Sequence, residues 1–328
     1  MRSILSPQRG IALLMVLWVL TILMVIVFSF SYLARTESFS SRAFKEGWEN
    51  KFLAEAGIER AIMELFYRKQ NPQNLGEEEQ ESWRIDGTEQ VGELGGGYYG
   101  VRLVDESGKI DLNLAPEVIL RNLMNSLNLP GEDQDLLVNT LVDSILDWRD
   151  PDDFHRLQGA ENDYYRSLPH PYQAKNGNFD TVEELILVKG VTAEILYGND
   201  QKPGLVDFLT VQAKTNKINL NAASKSVLMA LPGMTPEIAE AVAAYRQDKE
   251  ILSLQEIAGL LGEAQVQLAP YVTVAAGNTF TIESRGYKKN NQAGYGIQAK
   301  ITLEGNNQYR YLSYKNPVII KTEKKTSE

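Results

Sequence analysis

The sequence predicts an α+β protein in which a long N-terminal helix packs on a small antiparallel sheet that a large, mostly helical insert interrupts. Three observations favour this fold class. The chain of 328 residues starts with a long apolar and then amphipathic stretch, ends in short alternating segments, and carries an acidic region between them. Residues 105–270 hold 13 basic and 26 acidic side chains, whereas the two flanking regions have net charges of −2 and +5. These changes of sign suggest boundaries near residues 105 and 270.

Composition excludes several classes of chemistry. The chain has no cysteine, which removes disulfides, thiolate nucleophiles and Cys-ligated metals. Its two histidines, His155 and His170, are interpreted as surface or packing residues. A net charge of −10 argues against a general nucleic-acid binder. Because the chain also lacks a Walker loop and a G-x-S-x-G elbow, we expect no enzymatic activity.

The first element is a predicted membrane anchor with a removable leader. Residues 11–34 form an uncharged run long enough to span a bilayer. The polar leader, residues 1–10, carries Arg2 and Arg9, which favour a cytoplasmic N terminus. A secretory signal has its small residue after the apolar core, but here Gly10 precedes it. The leader alone would then be removed; an uncleaved signal anchor is the alternative.

The anchor is predicted to continue as a helix outside the membrane. Between Glu37 and Lys69 there is no proline, and Asn71-Pro72 ends the pattern. Phe44, Trp48 and Phe52 recur every four residues, and we expect them to join Leu53, Ile62, Leu65 and Phe66 in one apolar face that packs on the sheet. About 60 helical residues would extend roughly 90 Å.

The acidic region repeats itself, which predicts two related helical units at 105–210 and 211–270. The segment KIDLNLAPEVIL at 109–120 pairs with KINLNAASKSVL at 217–228, and TVEEL at 181–185 pairs with SLQEI at 253–257. KGVTAEI at 189–195 is paired with PGMTPEI at 232–238, each predicting a turn and a Thr-capped helix. The second unit resembles a helix-hairpin-helix, a motif that often binds phosphate. The acidic charge of the whole region 105–270 favours a packing role, and no nucleic acid is expected.

A cluster of carboxylates is the candidate chemistry of this region. Four aspartates fall within seven residues and two further acids follow them: Asp147, Asp150, Asp152, Asp153, Glu161 and Asp163. Such carboxylates repel one another unless they are solvated, protonated or bridged by a cation. Oxygen ligands on a loop suit calcium, although the spacing is not that of an EF-hand. The residues alone leave a solvated acidic loop and a metal site both open.

The remaining segments predict the sheet. Residues 73–97 are polar and Gly-rich and are interpreted as a loop, so the G-x-G-x-x-G match at 95–100 is taken as accidental. An alternating strand follows at 98–104, and three more are predicted at 279–284, 295–303 and 308–314. The first strand completes the region 35–104, and the last three form the C-terminal sheet region 271–316. Residues 317–328 are predicted to be a disordered tail.

Several of these segments, taken in order, resemble a known family. They are the R-G pair before the apolar run, LAEAGIERAI at 53–62, DESGKIDLN at 105–113, ILDWRDPDD at 145–153, GAENDYY at 159–165, VEELILVKG at 182–190 and INLNAAS at 218–224. The N-terminal part is similar to type IV pilin-like prepilins. The whole order is similar to the general secretion pathway protein K family, the minor pseudopilins K of type II secretion. Met15 occupies the fifth mature position, where most pilins carry glutamate. The absence of glutamate at this position is typical of the protein K family.

The resemblance implies a fold, a processing step and partners. It implies a pilin-like fold with an insert of two related SAM-like or helix-hairpin-helix-like units. It implies prepilin peptidase cleavage between Gly10 and Ile11 and N-methylation of Ile11. It also implies calcium at the acidic loop and partnership with minor pseudopilins H, I and J and with the major pseudopilin. The expected role is a structural subunit at the tip of a periplasmic pseudopilus, anchored once in the bacterial inner membrane with its body in the periplasm.

Two other functions stay as alternatives at this point. A minor pilin of a type IV pilus would share the fold class and the N-terminal processing. A membrane-anchored helix-hairpin-helix DNA receptor would use the second unit, and duplex binding at moderate salt would reveal it.

Overall fold

The computed structural model describes residues 9–71, 83–127, 129, 133–199, 201–288 and 294–320. Most of the predicted leader and most of the predicted tail therefore lie outside the described residues.

The N-terminal helix, α1 (Arg9–Gln70), has 62 residues and ends next to Asn71 as the sequence predicts. The side chains of residues 11–34 are all exposed. In the described part of the chain, this is the helix that is long and apolar enough to cross a membrane. An apolar surface of this length is stable in lipid rather than in water, because a bilayer core is about 30 Å thick.

The second half of α1 packs on the main sheet. Its buried face consists of small and aliphatic side chains, namely Leu53, Ala54, Ile58, Ala61, Ile62 and Leu65. The helix approaches the sheet closely at Gly286, where a Cβ would lie 2.0 Å from the Asn50 carbonyl oxygen. Glycine is therefore required at this crossing.

The aromatic residues expected on that buried face are not there. Phe44, Trp48 and Phe52 are 69%, 44% and 59% exposed, so the sheet does not cover them. Their rings form a ladder with centroids 6.1 Å and 5.8 Å apart. The prediction of one apolar face was wrong because a spacing of four residues drifts around a helix of 3.6 residues per turn. It combined two stripes, of which the sheet covers one.

The main sheet has five antiparallel strands. In their order across the sheet they are β1 (Asp86–Leu94), β2 (Gly97–Asp105), β7 (Thr279–Tyr287), β8 (Tyr295–Leu303) and β9 (Tyr309–Lys315). Strands β2 and β7 pair with Tyr98 opposite Tyr287, so the chain leaves the sheet at the end of β2 and returns at the start of β7. The insert occupies the sequence between these two points.

Strand β1 corrects the prediction of a loop over 73–97. Its residues are mostly polar, and all are exposed or half-buried because the strand lies at the edge of the sheet. It therefore lacks the alternation of apolar and polar residues by which strands are recognised in a sequence. Gly95 and Gly96 adopt positive φ angles of +58° and +77° and form the hairpin turn between β1 and β2. The glycine-rich match therefore belongs to a hairpin and precedes no helix.

The insert is built from short helices and two small parallel ladders. One ladder pairs β3 (Ile110–Asp111) with β4 (Leu209–Thr210), and the other pairs β5 (Ile218–Asn219) with β6 (Val272–Thr273). The helices are α2 (Glu117–Ser126), α3 (Gln134–Arg149), α4 (Asn162–Arg166), α5 (Ala193–Tyr197), α6 (Leu205–Phe208), α7 (Lys225–Met229), α8 (Pro236–Asp248), α9 (Ala258–Leu261) and α10 (Ala264–Leu268). Two 3₁₀ turns complete it, at Glu106–Gly108 and Val182–Leu187.

Two apolar cores follow from this arrangement. One fills the insert from Ile110 to Val272, and the other lies between α1 and the sheet. The long helix on an antiparallel sheet, with a helical insert between β2 and β7, confirms the predicted α+β fold class.

Candidate functional sites

The insert joins the sheet through a buried polar junction at Asp105. Its carboxylate accepts hydrogen bonds from Ser107 N and Oγ at 2.9 and 2.7 Å, Asn219 Nδ2 at 2.9 Å and Gly277 N at 2.9 Å. Burial raises the pKa of Asp105, and these hydrogen bonds oppose that rise. One side chain thereby connects the end of β2, the second helical unit and the chain that returns to the sheet.

Glu106 makes the matching connection to the first helical unit. Its carboxylate accepts hydrogen bonds from the Thr210 hydroxyl, from Thr281 Oγ1 at 2.7 Å and from Lys300 Nζ at 3.1 Å. Burial alone would raise its pKa, but the charges of Lys109 and Lys300 and the two hydroxyl donors lower the pKa of Glu106 overall. Adjacent acidic residues thus fasten the two units to one sheet.

The two helical units share an asparagine clamp. Asn113 donates from Nδ2 to the Phe179 carbonyl and accepts from the Phe179 N–H at 3.0 and 2.7 Å. Asn221 makes the same pair of bonds with Ile251, both at 2.9 Å. Each asparagine follows the first strand of its unit, so the predicted pairing of KIDLN with KINLN is confirmed by contacts.

An arginine closes each unit in the same way. Arg149, at the end of α3, donates to the Leu112 and Ala115 carbonyls at 2.6 and 2.8 Å. Arg246, in α8, donates to the Leu220 and Ala223 carbonyls at 2.9 and 2.6 Å. The sequence reasoning missed this pair, whose signal is an aromatic residue before each arginine, in Trp148-Arg149 and Tyr245-Arg246.

One of the predicted repeat pairings needs correction. Thr192 and Thr235 cap the helices that follow them, as predicted, by accepting hydrogen bonds from Ile195 N at 3.2 Å and Ile238 N at 3.3 Å. However, Thr235 begins α8, the helix that carries the closing arginine, and its counterpart in the first unit is α3, which Asp133 caps. The two segments have similar sequences because each contains a turn followed by a Thr-capped helix, but these helices are not counterparts in the repeat.

The acidic loop is an insertion in the first unit alone. Between Arg149 and the clamped Phe179 lie residues 150–178, whereas residues 247–250 link Arg246 to Ile251. The long segment contributes Tyr165 to the core, with its ring centroid 5.1 Å from that of Trp148. Five of the six predicted carboxylates therefore lie on a loop that is anchored on the helical unit, and Asp147 lies in the last turn of α3.

An arginine of this loop bridges two aspartates at the C-terminal end of α3. Asp147 is buried and accepts from Arg156 Nη1 at 2.6 Å and from the Arg156 backbone N–H at 3.0 Å. The same Nη1 donates to Asp150 Oδ2 at 2.8 Å. Burial raises the pKa of Asp147, against the effect of Arg156. Sequence reasoning did not single out Arg156.

Three other candidate carboxylates accept hydrogen bonds from groups of the loop itself. Asp152 accepts from Phe154 N at 2.9 Å, and Asp153 accepts from the amides of Asn162 and Asn176 at 2.7 and 3.1 Å. Asp163 is exposed and accepts from Tyr164 N at 2.8 Å. Of the two histidines, His155 and His170 are both exposed, in agreement with their interpretation as surface residues.

Glu161 provides the test of whether these residues suit a cation. It is 2% exposed, and neither carboxylate oxygen has a hydrogen-bond partner among the described residues. Burial, together with the charges of Asp147, Asp150, Asp153 and Asp152, raises the pKa of Glu161 to about 7.

Two neighbouring side-chain oxygens are unsatisfied in the same way. Asp150 Oδ1 and Asn176 Oδ1 are buried and also lack partners within the described ranges. A Cβ at Gly159 would lie 1.9 Å from Asp147 Oδ2, so glycine alone leaves room beside that carboxylate. In the described part of the chain, no three acidic or imidazole groups already converge into a coordination cage. Unsatisfied oxygens around a buried acid nevertheless fit a hard cation such as calcium.

The α1 helix carries the predicted processing and assembly positions. Gly10 and Ile11 lie in its first turns, and Ile11 and Met15 are exposed on its apolar half. Farther along, Lys51 Nζ lies 4.9 Å from the centroid of the Trp48 ring, beside the aromatic ladder. The ladder is an apolar stripe that the sheet leaves uncovered.

In the second unit, two of the cations are directed toward the protein itself. Lys225 pairs with Glu240, and Arg246, whose side chain is 11% exposed, donates to main-chain carbonyls. These contacts support the packing role predicted for the helix-hairpin-helix.

Comparison with known protein families supports the resemblance. Residues 102–197 match the first domain of the family described as type II secretion system (T2SS), protein K. Residues 213–273 match the helix-hairpin-helix motif. These two matches correspond to the two helical units defined above.

Individual relatives agree with the family match. Type II secretion system protein K of Aeromonas hydrophila is 30% identical over 210 residues, and that of Pectobacterium carotovorum subsp. carotovorum is 26% identical over 208 residues. These alignments cover 57% and 58% of this chain, and the chain spans about 60% of the length of each relative.

A solved structure has the same fold. It is a chain in the crystal structure of the GspK-GspI-GspJ complex from the enterotoxigenic Escherichia coli type 2 secretion system. The match has a TM-score of 0.58 at 18% sequence identity and covers 84% of this chain and 99% of that chain.

Proposed function

We propose that this chain, whose residues 102–197 match the first domain of type II secretion system protein K, is a minor pseudopilin. It would be a structural subunit of the periplasmic pseudopilus rather than an enzyme, and it would support export of folded proteins across the outer membrane. The observation that carries this proposal is the unbroken helix α1, apolar and exposed at first and then packed under the sheet.

The aromatic ladder supports assembly with other subunits. Phe44, Trp48 and Phe52 form an exposed stripe of α1 that the sheet does not cover. Large aromatic side chains are the residues that contribute most to protein interfaces. We therefore propose that the ladder contacts minor pseudopilins I and J, with H and the major pseudopilin as further partners.

Co-purification of the full-length chain with I and J in detergent tests this role. We expect Trp48→Ala to weaken the complex about tenfold or more, because central aromatic residues are typical hot spots. Phe154→Ala is the matched control, since Phe154 is exposed on the acidic loop. A complex that Trp48→Ala leaves unchanged would contradict the assigned surface. Assembly only with type IV pilus subunits would favour the alternative of a minor pilin.

Processing and location form the next part of the proposal. Prepilin peptidase would cut between Gly10 and Ile11 and leave a methylated Ile11, while α1 anchors the body in the inner membrane facing the periplasm. Mass spectrometry of the mature chain should find Ile11 first, and an intact Met1 in secreting cells would refute it.

Met15 supports a position at the tip. A fifth-position carboxylate in pilin-like subunits would neutralise the charged N terminus of a neighbour inside the apolar helix bundle. An unpaired charge in such an environment costs several kcal/mol. A subunit with Met15 offers no such carboxylate. Its absence costs no free energy where no subunit lies above, because there is then no charged N terminus to neutralise. The insert of two helical units would also obstruct lateral packing less at an end than along a shaft.

We further propose that the acidic loop binds calcium. Glu161, Asp150 and Asn176 supply the unsatisfied buried oxygens, with Asp147, Asp152 and Asp153 around them. Calcium accepts six to eight oxygen ligands and would neutralise the carboxylates that repel one another here. Asp163, which is exposed and is not among the acids that raise the pKa of Glu161 most, would contribute least.

Thermal unfolding of the full-length chain in detergent tests the metal. Calcium at a hundredfold excess over its dissociation constant should add about 2.7 kcal/mol to stability relative to chelator. We expect Glu161→Gln to reduce this gain strongly and Asp163→Asn to preserve it. Equal melting temperatures with calcium and with chelator would identify the loop as a solvated acidic surface.

A further inference from the structure

Arg156 already acts as a cation at the site proposed for calcium. One guanidinium nitrogen, Nη1, lies 2.6 Å from Asp147 Oδ1 and 2.8 Å from Asp150 Oδ2. A single positive group therefore bridges two carboxylates from the end of α3. Such charge-assisted bonds are about twice as strong as neutral ones.

The charge of Arg156 does not satisfy the site. The guanidinium pairs with Asp147 and Asp150, whose charges also act on Glu161, and Glu161 is left without any hydrogen-bond donor among the described residues. A buried acid in this condition is costly unless a further positive charge reaches it. The arrangement holds the two aspartates together but leaves an excess of negative charge, which a divalent ion would neutralise.

The side chain of Arg156 is partly open to solvent. It is 39% exposed, on the segment 151–157 that includes the solvent-facing Phe154 and Leu157. The backbone N–H of Arg156 also donates to Asp147, at 3.0 Å, and this bond does not depend on the side chain. Asp147 would therefore keep its position after the guanidinium has moved into solvent.

We propose that Arg156 is a tethered counter-cation that holds Asp147 and Asp150 in place when calcium is scarce and gives them up when calcium binds. This inference depends on the calcium site proposed above. It follows that Arg156 makes folding of the loop independent of the metal and weakens calcium binding, since the ion must displace a positive charge. The residue thereby sets the calcium concentration at which the site fills.

Calcium titration by calorimetry on the full-length chain in detergent tests the proposal. Arg156→Gln should bind calcium about tenfold more tightly, because a nearby positive charge no longer competes with a divalent one. The same variant should melt at a lower temperature in chelator. Arg156→Lys keeps the charge and should stay within about threefold of the wild-type affinity. Arg166→Gln, an exposed arginine on the same loop, is the matched control and should change neither quantity.

A second measurement needs no variant. Phenylglyoxal reacts with accessible guanidinium groups, and mass spectrometry can follow each arginine of the wild-type chain. Calcium should speed the labelling of Arg156 and leave that of Arg166 unchanged. Slower or unchanged labelling of Arg156 would overturn the proposal, even where Arg156→Gln does not fold.

The remaining outcomes are also decisive. Calcium affinity that Arg156→Gln leaves equal or lowers would overturn the tethered-cation role. Calcium binding by Arg156→Gln but not by the wild type would support it. If neither protein binds calcium, the inference and the metal site both fail, whereas assembly with I and J still tests the pseudopilin role separately.

Discussion

The two helical units of the insert are built on the same plan but are used differently. Both hold their first strand with an asparagine clamp and close it with an arginine. In the first unit the chain after the arginine expands into the acidic loop, residues 150–178. In the second unit the equivalent segment is short and ends at Glu250, which pairs with Arg68 of α1 at 2.6 and 2.7 Å. One copy thus presents a loop to solvent, and the other is fastened to the long helix.

This difference shows where a repeated scaffold accepts change. The clamp and the closing arginine satisfy main-chain groups in each core, so both copies keep them. The segment that links the arginine to the clamped residue takes part in neither set of hydrogen bonds, so it can vary in length. The link is accordingly a long loop in one copy and a contact with α1 in the other.

The largest expected effect tests whether the two copies are equivalent. We expect Arg149→Met and Arg246→Met each to cost about 3 kcal/mol, since two buried carbonyls lose a charged donor in either case. Chemical denaturation of the full-length chain in detergent would measure both losses. A large loss in one unit with none in the other would show that the arginines are not counterparts.

A somewhat smaller effect is expected at the junction that fastens the first unit. Glu106→Gln should cost about 2 kcal/mol at neutral pH, because Thr210, Thr281 and Lys300 lose a charged acceptor.

The pH dependence of this loss has a defined sign. The pKa of Glu106 is lowered from its ordinary value of 4.5, so its contribution is complete above that pH and is lost as pH falls through the lower, folded value. Melting curves of wild type and Glu106→Gln should therefore converge in acid. A gap that stays constant down to pH 2 would contradict the account.

The sequence predicted the scaffold better than its connections. Helix α1, the fold class and the KIDLN–KINLN repeat could be predicted because apolar periodicity and turn chemistry are local. Strand β1 could not, since a polar edge strand carries little alternation. The exposure of Trp48 and the bridge made by Arg156 depend on which surfaces meet in space, which spacing along the chain does not encode. The same limit explains why the turn at Gly233 was paired with that at Gly190.

The smallest expected effect concerns a glutamate that both units share. Glu184 accepts from Asp180 N at 3.0 Å, and Glu256 accepts from Leu252 N at 3.0 Å. Glu184 also accepts from Trp148 Nε1 at 2.9 Å, so it supports the helix that leads into the acidic loop. We expect Glu184→Gln to cost about 1 kcal/mol and Glu256→Gln about half of that. Thermal melting of the two variants would measure this order. The reverse order would show that the bond from Trp148 to Glu184 adds no stability.

The central claim, a pseudopilin at the tip, is tested most directly by crosslinking in secreting cells. The chain has no cysteine, so single cysteines can be placed along residues 15–40 of α1 without removing any native residue of that kind. Each would be paired with cysteines in the helices of the other pseudopilins. We expect crosslinks to subunits on the lower side only. Crosslinks distributed evenly between upper and lower neighbours would place this chain along the shaft and contradict it.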